Sequence, residues 1–162
     1  MKQGSTIILR CAVILAGIVM LAICGVMAWI TFTENQSATE YHVDYVLIIL
    51  ILGTYAAAIP YFTALYQTLK LLDYIDTNRA FTKLSVKALK TIMYCAIADF
   101  IICMAGGVPF FAILGRNDGN PGMVVLGLIP AGVALIIAVF ASVLKRLLSD
   151  AIAAKSENDL TI

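Results

Sequence analysis

Four apolar stretches, at 11–32, 45–65, 91–114 and 123–144, dominate the chain. Each runs for roughly 20–24 residues, or about 30–36 Å as a helix, against a hydrocarbon core of about 30 Å. In lipid the backbone must satisfy its own hydrogen bonds, and these runs lack the alternation of barrel strands, so each is expected to be a helix. Composition points the same way. The 162 residues are 62% hydrophobic and 13% charged, whereas a soluble domain is about 45–50% apolar and about 25% charged. A soluble fold of this size could not hide so much apolar surface, and disorder is excluded by the same excess.

The first stretch follows Lys2 and Arg10, as a signal peptide would. A signal core has only about 7–15 apolar residues, so this longer run reads as a retained span. Ten of the eleven Lys and Arg residues fall on one side: Lys2, Arg10, Lys70, Arg79, Lys83, Lys87, Lys90, Lys145, Arg146 and Lys155. Arg116 alone falls on the other. The positive-inside rule therefore predicts both termini and the middle loop in the cytoplasm of a multi-pass protein of the cell membrane. The outer loops are short. The first is acidic, with Glu34, Glu40, His42 and Asp44. The second, Arg116-Asn-Asp-Gly-Asn-Pro-Gly122, has turn chemistry. Short connections join antiparallel neighbours, so the expected fold is all-α: four transmembrane helices in an up-down bundle, one domain over 1–162, with no internal repeat.

The third stretch holds the one charge expected inside the membrane, Asp99. Cys95 and Cys103 stand four residues either side, on the same helix face, and Gly106 or Gly107 extends the stripe. Asp99 is either a proton or ligand site, or a structural carboxyl bonded to a neighbouring helix through a small-residue face. Thr54, Tyr55 and Tyr61 of the second stretch are candidate partners. No compact set of His and Cys ligands calls for a metal, and the cysteines (Cys11, Cys24, Cys95, Cys103) form no disulfide framework. Pro60, Pro109 and Pro130 remove backbone donors within three stretches and predict kinks. Trp29, Phe32, Tyr41, Tyr45, Tyr66 and Tyr74 read as interface anchors.

The basic side carries the richer patterning. Asp76-Thr-Asn-Arg79 reads as a turn, and Thr82 or Ser85 can cap a new helix running into the third stretch. Lys83, Lys87 and Lys90 recur at helical spacing on one face. They suit anionic headgroups or a cytosolic partner. Leu144, Leu147, Leu148, Ala151 and Ile152 continue an apolar helix face past the membrane, giving an amphipathic tail helix at about 145–154. Lys155, Glu157, Asn158 and Asp159 then form a polar end. With Asp76, Arg79 and the lysines, these residues make up the candidate partner surface.

Several classes find no footing. There is no H-E-x-x-H, G-x-S-x-G, Walker or Rossmann pattern, no catalytic residue and no cofactor is implied, and His42 stands alone in the outer loop. The net charge of +1 gives no basic face for direct nucleic-acid binding. A glutathione-dependent lipid enzyme needs clustered Arg and Glu on inner faces. Only Arg10 is so placed, with no inward partner legible.

The stretch Pro60-Tyr-Phe-Thr-Ala-Leu-Tyr-Gln-Thr-Leu-Lys-Leu-Leu-Asp-Tyr-Ile-Asp-Thr-Asn-Arg-Ala-Phe-Thr-Lys-Leu-Ser-Val-Lys-Ala-Leu-Lys90 and the ending Ala153-Ala-Lys-Ser-Glu-Asn-Asp-Leu-Thr-Ile162 resemble the YoaS-like family of small bacterial membrane proteins. It is a domain-of-unknown-function family, with no catalytic or ligand residues to carry over. Its members are often encoded beside a very small helix-turn-helix regulator. The resemblance thus implies a non-enzymatic, regulatory membrane partner of a cytosolic transcription factor. The alternative is a small transporter or efflux/immunity protein with its site at Asp99. Small-residue stripes suit packing within the lipid bilayer either inside one chain or between copies in a homo-oligomer.

Overall fold

The computed structural model describes residues 3–37, 45–77, 80–117 and 119–159. All regular structure among them is helical: α1 (Gln3–Ser37), α2 (Tyr45–Asp76), α3 (Lys83–Ile102), a π-helical turn (Cys103–Gly107), α4 (Val108–Asn117) and α5 (Met123–Asp159). Among the described residues, three segments are long and apolar enough to cross a membrane: Thr6–Val26, Lys83–Ile113 and Met123–Glu157. The expected stretch 45–65 lies inside α2 but is not among these three. The tail expected beyond 144 is no separate element, because α5 continues unbroken to Asp159.

The packing is inverted relative to a soluble domain. Among the described residues, seven of the ten buried hydrophobic ones are alanines, while large side chains such as Ile8, Leu15, Trp29, Leu52, Ile59 and Phe140 face outward. Lipid tails are as apolar as leucine, so membrane helices gain most by bringing small faces into close contact. Ala131, Ala134, Ala138 and Ala141 form that face on α5, and Ser85, Ala88 and Ala96 are buried on α3. The closest approach is at Gly127. A Cβ there would sit 3.0 Å from the Gly107 carbonyl oxygen and 3.2 Å from the Val108 Cα.

The helices form an open arrangement. α3 packs on both α2 and α5, α4 packs mainly on α5, and α1 packs on α2 alone. The contact of α1 with α5 that would close a four-membered ring is missing among the described residues. α1 and α2 run antiparallel. The Tyr61 hydroxyl donates to the Ala16 carbonyl at 3.1 Å, and Gly17 faces Leu65 and Phe62.

The three prolines behave differently. Pro60 and Pro130 sit inside continuous α2 and α5. Pro109 follows the π turn. A proline ring clashes with the carbonyl four residues back and supplies no N–H. Widening the helix moves that carbonyl, here Ala105, away from the ring, and Gly106-Gly107 makes the widening sterically cheap. The Val108 N–H accordingly reaches back five residues to the Cys103 carbonyl. α4 ends in a tight turn. The Asn120 N–H bonds the Gly115 carbonyl at 2.8 Å, and Gly119 adopts a φ of 66°.

Candidate functional site

Two polar constellations interrupt the apolar architecture. The first lies within the membrane-spanning part of α3. Asp99 stands between Cys95 and Cys103, four residues from each. Cys95 and Asp99 lie one turn apart on α3, and Cys103 follows one turn on as its C-cap. Tyr61 spends its donor on Ala16, and Tyr55 is exposed. Asp99 Oδ1 is buried with no hydrogen-bond partner among the described residues. A second acceptor lies close by in sequence. With Val108 bonded to Cys103 and Pro109 lacking an N–H, the Met104 carbonyl has neither of the main-chain donors a helix would offer it. The π turn also alters the stripe beyond Cys103: Gly107 is carried toward Gly127 of α5. Among the described residues no three His, Cys, Asp or Glu side chains come together as a metal-holding group.

The second constellation is at the basic end, and sequence reasoning missed it. Arg10 of α1 pairs with both Asp73 and Asp76 at the end of α2, the Asp76 contact measuring 2.8 Å. Arg10 thus has two partners, both exposed, at the end of α2. Asp76, expected on the partner surface, is exposed and paired with Arg10 of the same chain. The signal was present in Asp73 and Asp76, three residues apart and therefore on one helix face. Their distance of more than sixty positions from Arg10 hid the match.

The remaining partner-surface residues divide by helix face. Thr82 caps α3 in an extended conformation, and Ser85, only 1% exposed, lies against it. Ser85, Ala88 and Leu89 are buried, whereas Lys83, Lys87 and Lys90 are exposed on the opposite side of α3. Lys90 lies over the Tyr94 ring, at 5.8 Å from its centroid. Lys155 and Glu157 are exposed near the end of α5. Arg79 lies outside the described residues, as do the side chains of Asn158 and Asp159 and the outer-loop residues Glu40, His42 and Asp44.

Residues 29–162 match the family described as "Protein of unknown function (DUF2975)". The whole chain is 44% identical over 163 residues to the "Uncharacterized membrane protein YoaS" of Bacillus subtilis (strain 168), covering 100% of both chains. No solved structure matches it. An inverted apolar surface, spans of membrane length and full-length similarity to a membrane protein agree: the chain is a membrane protein and belongs to the YoaS-like DUF2975 family.

Proposed function

We propose that this is a non-enzymatic regulatory membrane protein, a single four-span domain with both termini in the cytoplasm, whose basic end holds or releases a cytosolic protein partner. The observation that carries the reading is the lysine face of α3. Lys83 and Lys87 are exposed and have no ion pair among the described residues. The acids nearest in sequence, Asp73 and Asp76, are already bound by Arg10. A rigid helical face of uncompensated charge attracts an acidic surface and sets its orientation. The helix-turn-helix regulator associated with YoaS-like proteins is the partner class we favour.

The test is cross-linking in living cells followed by purification of the tagged chain. A cytosolic DNA-binding protein should accompany the wild type and be lost from the Lys83→Glu, Lys87→Glu double variant. Equal recovery from both would remove the mechanism. A second reading, a small transporter, draws on Asp99 Oδ1, buried without a partner among the described residues, beside a broken helical ladder. Intramembrane carboxylates are costly and commonly mark ion or substrate paths. Flux or resistance lost in Asp99→Asn would favour it.

A further inference from the structure

The contacts between helices locate the membrane surface at the basic end. Arg10, Lys70, Lys90 and Lys145 are the innermost cations there, one on each of α1, α2, α3 and α5. Lys70 precedes the end of α2 by about 9 Å, and Lys90 follows the start of α3 by about 10 Å, so the two flank the connecting turn at equal depth. Leu71, Leu89 and Leu144, sequence neighbours of Lys70, Lys90 and Lys145, border one groove between α2, α3 and α5. Arg10 reaches Asp73, one turn beyond Lys70. The four cations therefore stand at one level. From it, the helical path to Glu34 in α1 and to Arg116 in α4 is about 36–39 Å. That lies between the hydrocarbon core, about 30 Å, and the whole bilayer, about 40–45 Å, so the level falls in the headgroup layer.

Two of these cations share one arrangement. Lys70 Nζ lies 4.7 Å from the centre of the Tyr66 ring, and Lys90 Nζ lies 5.8 Å from that of Tyr94. Each tyrosine is one turn deeper and exposed, facing the lipid. The ring face attracts the ammonium but accepts none of its three N–H donors in full. Neither lysine has an ion pair among the described residues. α3 carries no acid between its start and Asp99, and Asp73, the acid nearest Lys70, is bound by Arg10. The counter-charge therefore comes from outside the chain. At headgroup depth the available anion is lipid phosphate, and anionic lipids attract lysines placed there.

We propose that Lys70 over Tyr66 and Lys90 over Tyr94 are two headgroup sites, each holding the phosphate of an anionic phospholipid from the leaflet at the basic end. Depth then divides the lysine face of α3. Lys83 lies about 10 Å beyond Lys90, past a headgroup layer of about 5–8 Å, and is left to a soluble partner. The lipid sites do not depend on that partner.

The experiment uses the purified full-length chain alone, so its failure is separate from failure of partner capture. Trp29 is the single tryptophan. In a Trp29→Phe background, Tyr94→Trp or Tyr66→Trp keeps an aromatic face under the lysine and makes it the only indole. The protein is reconstituted in phosphatidylcholine vesicles containing acyl-brominated phosphatidylglycerol or, at equal mole fraction, acyl-brominated phosphatidylcholine. Phosphatidylglycerol should half-quench each indole at a mole fraction about fivefold lower, the preference that one lysine near an anionic surface gives. Lys90→Gln should abolish the preference at position 94 and leave it at 66, and Lys70→Gln the reverse. Lys83→Gln with Lys87→Gln should leave both. The two reporters are independent, so one that fails to fold leaves the other. Equal quenching by the two lipids, or a preference that survives loss of the adjacent lysine, overturns the proposal. A preference lost instead with Lys83 and Lys87 would place the phosphates further out and overturn it too, as would quenching relieved at high protein density, which identifies a second copy at these faces.

Discussion

Arg10 and Asp76 lie 66 positions apart and are joined by a 2.8 Å hydrogen-bonded ion pair that ties the start of α1 to the end of α2. Together with the Tyr61–Ala16 bond and the contacts of Gly17, this pair joins α1 to α2, the one helix it packs on among the described residues. Its strength is limited. Arg10 is 40% exposed and Asp76 35%, and pairs this accessible contribute about 0.2–1 kcal/mol. Arg10→Ala is expected to leave global unfolding nearly unchanged while loosening α1 from α2. Spin labels on the two helix ends would report a broadened distance distribution. Arg10→Asp combined with Asp76→Arg should restore the narrow one.

Gly127→Leu is expected to destabilise the protein by about 1–3 kcal/mol, a usual cost of overpacking. A Cβ at Gly127 already lies at 3.0–3.2 Å from the main-chain atoms Gly107 O and Val108 Cα, which cannot rotate away as a side chain can. Unfolding titrations in mixed micelles would measure it. Gly132, where a Cβ meets nothing within 4 Å, provides the control, and Gly132→Ala should be neutral or mildly stabilising.

Pro109→Ala is expected to heal the π turn. The new N–H gives the ladder back its missing donor, and the ring that forces the Ala105 carbonyl aside is gone. Closing a π turn rotates everything after it by about one residue, so Phe111 would leave its place beside Gly127. Backbone chemical shifts over 103–109 should become α-helical. A disulfide engineered between α4 and α5 in the native register should form less efficiently.

Asp99→Leu is expected to leave the fold intact and to raise stability by about 1–3 kcal/mol, because it removes a buried acceptor that has no partner among the described residues. Unfolding of purified variants would test this. A loss of stability would mean that Asp99 is bonded across helices and is structural. A gain would show a carboxylate retained at a cost, as functional groups are.

Lys83→Glu with Lys87→Glu is expected to change stability by less than about 0.5 kcal/mol, since both side chains are exposed and unpaired among the described residues. Melting in detergent checks this. It also makes any loss of partner capture interpretable as a surface effect.

Much of the architecture was legible because it follows from local terms. Run length and hydropathy marked the apolar segments. Thr82 or Ser85 was legible as the cap of the helix leading into the third stretch, and the structure puts it at Thr82. The i, i+4 spacing placed Cys95, Asp99 and Cys103 together. Pro109 was legible as a disturbance, but whether it would kink, break or widen the helix depended on Gly106-Gly107 before it and on the close approach of Gly127 from α5.

The sequence by itself determined that the chain belongs in a membrane, where its helices run and where its positive charge gathers, because each of these depends on consecutive residues meeting a single solvent. Only the tertiary structure decided which helix faces meet. In water, apolar periodicity points inward. In lipid, large apolar side chains are equally at home outside, so periodicity loses that information and the small-residue faces of α3 and α5 emerge only on packing. The pairing of Arg10 with Asp73 and Asp76, the attachment of α1 to α2 and the groove between α2 and α5 are matters of register between helices. No local pattern encodes them.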